Sequence, residues 1–112
     1  MSAAIASRLQ VLQDHADLTQ DQVGQIVGAS ARTVSRWERG HAAPQPGSRQ
    51  RLIELAYVAE TLAGVLKPEE RNLWIFTPNR LLDHDSPADR IASGDYRSVV
   101  ALIEALADGI VV

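Results

Sequence analysis

Residues 18–40 read LTQDQVGQIVGASARTVSRWERG, and this stretch decides how the rest of the chain is placed. Thr19 offers a capping oxygen, and Gln22, at the third helical position, is spaced to reach back to it. Leu18 and Val23 stand where a hydrophobic staple fixes the entry of the chain into a helix. Gly28 ends that helix. Ser30 then caps a second one, which runs to Arg39 and stops at Gly40. Gly24 supplies a small residue where the two helices touch, and Val23, Ile26, Val34 and Trp37 form the buried side. Two helices joined by a short glycine-containing turn make a helix-turn-helix.

At 100° per residue, Val34 and Trp37 define the buried direction of the second helix. Arg32 and Arg39 then lie almost opposite, with Ser35 and Arg36 within about 50° of that opposite direction. In a docked motif the N-terminal half of this helix meets base edges. This nominates Arg32, Thr33 and Arg36, flanked by Ser30 and Ser35, while Gln20 and Arg39 are placed for phosphates. The competing account makes Arg36 and Arg39 cations at a helix C-terminus with Glu38 as their local partner. It explains Arg32, near the helix N-terminus, worst. One such helix reads few bases, so a homodimer on paired half-sites is expected.

Working outward, Ile5, Leu9 and Leu12 recur at helical spacing in a first helix ending near Asp17. Residues 41–48, with Pro44, Pro46 and Gly47, read as a linker. A helix follows from about Arg49 to Leu66, with Leu52, Leu55, Ala59, Leu62 and Leu66 along one side. Pro68 opens another, which Thr77-Pro78 ends; Trp74 and Phe76 are expected in the core. Ser86-Pro87-Ala88-Asp89 resembles a capping box, and Asp95 caps a last helix through Asp108, where Gly109 releases Ile110-Val111-Val112. The expected fold is all-α: residues 1–48 a helix-turn-helix bundle, 49–66 a connecting helix and 67–112 a small helical C-terminal region.

The 112 residues suit one domain or two small units sharing a core. Apolar runs do not exceed five residues, too short for a membrane span or a signal peptide, so a cytoplasmic protein without a membrane partner is expected. The net charge of -3 argues against nucleic acid until it is divided. Residues 1–52 hold six Arg and four acids, whereas residues 53–112 hold five basic residues and ten acids. A GC-rich genome accounts for arginine over lysine but not for the five arginines within residues 30–51. No cysteine is present, and His15, His41 and His84 lack a zinc-like partner at i+3 or i+4. Asp83-His84-Asp85 has neither a nucleophile motif nor a phosphate-cradling loop beside it. No enzyme, metal or cofactor is therefore expected. Asp83, Asp85, Asp89 and Asp95 read as solvated caps, or as contacts for a basic partner surface.

Residues 18–40 resemble the Xre-type helix-turn-helix proteins. The later stretch Trp74-Ile75-Phe76-Thr77-Pro78-Asn79-Arg80-Leu81-Leu82, with Ser86–Asp89, Gly94-Asp95-Tyr96 and the last helix, resembles the toxin-binding region of the Xre/MbcA/ParS antitoxins, and is closest to the MbcA type. The resemblance implies a RES-domain toxin that consumes or transfers from NAD as partner, in a hetero-oligomer, with operator DNA bound by the complex. It further implies toxin contacts at Asn79, Arg80, Tyr96 and the tail Gly109, Ile110, Val111 and Val112, an apolar end suited to plugging a substrate entrance. The alternative is a stand-alone helix-turn-helix transcription regulator whose C-terminal helices dimerise or sense a ligand.

Overall fold

Among the described residues the chain forms seven α-helices and one short 3₁₀ turn, with no strand. The computed structural model describes residues 2–109, the side chains of residues 2 and 3 excepted. The order is α1 (Ser2–Ala16), α2 (Gln20–Val27), α3 (Ala31–Glu38), α4 (Pro46–Ala63) and α5 (Pro68–Phe76). The 3₁₀ turn Arg80–Leu82, α6 (Pro87–Ala92) and α7 (Tyr96–Ala107) complete it. The fold is all-α, as expected.

Local chemistry sets most of these boundaries. The Gln22 amide donates to the Thr19 hydroxyl at 3.1 Å, and the Thr19 amide donates to the Gln22 side chain at 3.1 Å, closing the capping box of α2. Gly28 ends α2 at φ 81°, a left-handed conformation in which a Cβ is disfavoured. At Gly24 a Cβ would run into the Ala29 carbonyl, so glycine is what lets the turn fold back onto α2. Ser86 and Asp89 close a second capping box, and Asp95 caps α7 through the Ser98 amide.

Two expectations are corrected. Helix α4 starts at Pro46 rather than Arg49: Pro46 occupies the first helical position, where its missing N–H is no loss. It also ends at Ala63, and Leu66 follows in a turn closed by its amide on the Leu62 carbonyl. Trp74 and Phe76 are half-buried against the core's edge, while Ile75 between them is fully enclosed.

Helix α4 is the spine. Leu52, Leu55, Ala56, Val58, Ala59 and Leu62 are all buried, because α1 and α2 cover one side and α7 the other. Glu54, the one charged residue buried on α4, is held by Gln50 at 2.9 Å and Arg51 at 3.1 Å. A single apolar cluster runs from Ile5 through Val34 and Leu55 to Ile103, so both ends of the chain share one core.

Candidate functional site

Helix α3 presents its arginines as the spacing predicts. Val34 and Trp37 are buried at 0% and 3% exposure, which fixes the helix rotation and turns Arg32, Arg36 and Arg39 to solvent. The Ser30 hydroxyl accepts the Thr33 amide at 3.1 Å and donates to the Thr33 hydroxyl at 2.9 Å, so both side chains stiffen the helix start. Arg39 donates to the Ser35 hydroxyl at 2.8 Å. Arg32 and Arg36 enter no ion pair among the described residues. They stand one turn apart on one face, about 6 Å along the axis. Glu38 is not their partner: it accepts from the Gln20 side chain at 2.6 Å, tying the start of α2 to the end of α3. The competing account of Arg36 and Arg39 loses its local acid, and Gln20 is engaged within the motif.

The second candidate surface lies beyond α5. Asn79 is half-buried, and its side-chain oxygen accepts the Leu81 amide at 2.9 Å, starting the 3₁₀ turn. Arg80 is exposed. Arg90 binds the turn from beneath, with Nη2 on the Leu82 carbonyl at 2.8 Å, Nε on Asp85 at 2.9 Å and Nη1 on Asp95 at 3.1 Å. These partners, Asp85 first, raise the guanidinium's already high pKa. The Ser98 hydroxyl, with its amide and Arg90 adding to it, holds the Asp95 carboxyl below its usual range. Asp89 and Asp95 are therefore caps as expected, Asp83 stays solvated at 99% side-chain exposure, and Asp85 is bound by Arg90.

Tyr96, next to Asp95, is half-buried and meets Tyr57 edge-on at 6.4 Å, with the Arg97 guanidinium 5.5 Å from its ring centre. Through Arg90 the structure brings Asn79, Arg80 and Tyr96 to one end of α7. Gly109, exposed at φ 82°, lies at the other end, about 18 Å away along the helix. Ile110, Val111 and Val112 lie outside the described residues. Among those described, no three His, Asp or Glu side chains are grouped as metal ligands.

Three residues escaped the sequence reading. Arg71 donates to the carbonyls of Leu66, Ala63 and His15, and Asn72 to those of Ala16 and Asp17. Their partners lie up to 56 positions away, beyond any local pattern. Arg90 was legible in principle, as a lone cation amid four aspartates.

The chain matches a helix-turn-helix domain family over residues 4–66. It is 49% identical over 108 residues to the mycobacterial cidal antitoxin MbcA of Mycobacterium tuberculosis, covering 96% of each chain, and equally so to that of Mycobacterium bovis. A probable mycobacterial cidal antitoxin of M. tuberculosis is 32% identical over 92 residues, 82% of this chain and 78% of that protein. Among solved structures, a chain from the crystal structure of the M. tuberculosis MbcT–MbcA toxin–antitoxin complex superposes with a TM-score of 0.86 at 49% identity. The match covers 96% of this chain and 97% of that one. Because the likeness runs through the helix-turn-helix and the C-terminal helices alike, the chain belongs to the MbcA family of helix-turn-helix antitoxins.

Proposed function

We propose that this chain is the antitoxin of a toxin–antitoxin pair, binding and inhibiting a RES-domain, NAD-consuming toxin. It acts in the cytoplasm and as a regulator without catalysis of its own. Residues 67–112 hold the toxin, with Asn79, Arg80 and Tyr96 at one end of α7, Gly109 at the other, and residues 110–112 contributing in sequence beyond it. Residues 1–48 hold operator DNA through Arg32, Thr33 and Arg36, with Arg39 on phosphate, so that the pair represses its own operon.

The observation that carries this reading is the extent of the likeness, 96% of the chain, to a protein solved in complex with a toxin. The DNA half rests on two exposed arginines without ion-pair partners among the described residues, on a helix whose rotation the core fixes. A face of that kind supplies bidentate donors for guanine or phosphate, and the acidic second half gives DNA no competing surface.

The test is co-expression with the adjacent reading frame and purification through a tag on this chain. A stable complex supports the antitoxin reading; a chain that elutes alone, with a folded and active neighbour in the flow-through, contradicts it. Removing residues 110–112 is expected to weaken inhibition while leaving DNA binding intact.

A further inference from the structure

Tyr57 stands on the outer face of α4 with its side chain largely in water. It is 51% exposed, while Leu55, Ala56, Val58 and Ala59 around it are buried. Glu60 and Gly64, on the same face of the helix, are exposed as well. The core therefore gains little from an aromatic ring at this position, since burial is what rewards a large apolar side chain. What the ring does meet is Tyr96. The two centroids are 6.4 Å apart with the planes at 90°, the edge-to-face arrangement that the charge distribution of two aromatic rings favours.

Tyr96 opens α7, and its surroundings hold it from several directions. Asp95, just before it, accepts the Ser98 amide at 3.3 Å and the Ser98 hydroxyl at 2.7 Å, which fixes the first turn of the helix. The Arg97 guanidinium lies 5.5 Å from the ring centre, within cation–π range. Helix α4 supports the same place at a second level. Six positions before Tyr57, about 9 Å along the axis, Arg51 passes beneath the turn that enters α7. At Gly94, φ 97°, a Cβ would stand 2.9 Å from Arg51 Nη2. Arg51 is itself held by the buried Glu54 at 3.1 Å. The spine thus braces the backbone entering α7 through Arg51 and the first side chain of α7 through Tyr57.

We infer that Tyr57 is a positioning residue for toxin recognition: its ring holds Tyr96 in one orientation before the toxin arrives. A side chain ordered in advance loses less freedom on binding, so affinity rises without a new contact to the partner. The inference rests on the reading of Tyr96 as a toxin contact. It carries the toxin-binding unit back from residue 67 onto α4, so the connecting helix is part of that unit. Tyr57 acts through Tyr96 and makes no separate contribution of its own.

The test is a double-mutant cycle on the full chain, titrated by calorimetry with the purified product of the adjacent gene. Tyr57→Ala and Tyr57→Leu are each expected to weaken toxin affinity at least fivefold, with helical content and operator affinity retained. Tyr57→Phe, which keeps the ring, is expected to restore affinity to within twofold of native. In a Tyr96→Ala chain, adding Tyr57→Ala is expected to cost less than a further twofold. Native affinity in the Tyr57→Ala chain overturns the inference, as does a Tyr57 effect of the same size with and without Tyr96. A native chain that binds the toxin no more tightly than Tyr96→Ala overturns it too, and leaves the toxin reading standing. Failure of the native chain to bind the toxin at all overturns both.

Discussion

Asn72 donates through its side-chain nitrogen to Gln22 Oε1 at 3.0 Å, and Gln22 is the residue that closes the capping box of α2. The first helix of the helix-turn-helix is therefore anchored by a side chain from the second half of the chain. The same Asn72 nitrogen also lies 3.1 Å from each of the Ala16 and Asp17 carbonyls at the end of α1, so its two N–H groups are shared among three acceptors.

Asn72→Ala is accordingly expected to destabilise the whole molecule by about 1–3 kcal/mol, because it strands partly buried carbonyls. Urea unfolding followed by circular dichroism and by tryptophan fluorescence should give coincident transitions, since Trp37 and Trp74 share one core. Two separated transitions would show that the halves fold independently.

The glycines separate by environment. Gly24→Ala drives a methyl group into the Ala29 backbone and is expected to lower stability by at least about 1–3 kcal/mol. Gly28→Ala, at φ 81° with open space around it, meets only the conformational penalty of roughly 1–2 kcal/mol. Gly47→Ala, in the first turn of α4 with nothing near the new methyl, is expected to stabilise by about 0.4–1 kcal/mol. Thermal midpoints of the three variants check this ranking.

Arg32→Ala and Arg36→Ala are each expected to weaken operator binding by about 1–3 kcal/mol, roughly 5- to 150-fold, with relaxed sequence preference at one base position. Arg39→Ala is expected to weaken binding to all sequences alike and to reduce the salt dependence by about one phosphate contact. Salt-titrated binding to the chain's own promoter measures both. The doubly substituted chain should still co-purify with the toxin.

Acid sensitivity follows from Asp95. Its folded pKa lies below the usual 3.8, mainly because of the Ser98 hydroxyl, so its ionised form is favoured by folding. That contribution is fully present above the unfolded pKa and is lost as the pH falls through the folded one. Asp95→Asn keeps a capping oxygen but gives up the charge. The stability gap between native and variant should be constant above about pH 5 and shrink below about pH 4, as read from urea midpoints.

Short-range chemistry was legible in the sequence. The Thr19–Gln22 and Ser86–Asp89 boxes, the turn at Gly28 and the outward arginines of α3 all depend on residues at most a few positions apart, and the structure reproduces them. Pro44, Pro46 and Gly47 misled, because proline at a first helical position resembles proline in a linker until the following helix is seen. The three-residue turn at Arg80–Leu82 is too short to show a period. The Arg71 and Asn72 bonds, and the way Arg90 gathers Leu82, Asp85 and Asp95, arise only when packing brings distant segments together.

The central claim is inhibition of an NAD-consuming toxin, and NAD turnover by the purified product of the adjacent gene tests it most directly. With this chain added at increasing ratio, NAD loss should fall to background near equimolar amounts, and a chain lacking residues 110–112 should require a clear excess. Undiminished NAD loss in the presence of a saturating, folded chain would contradict the account.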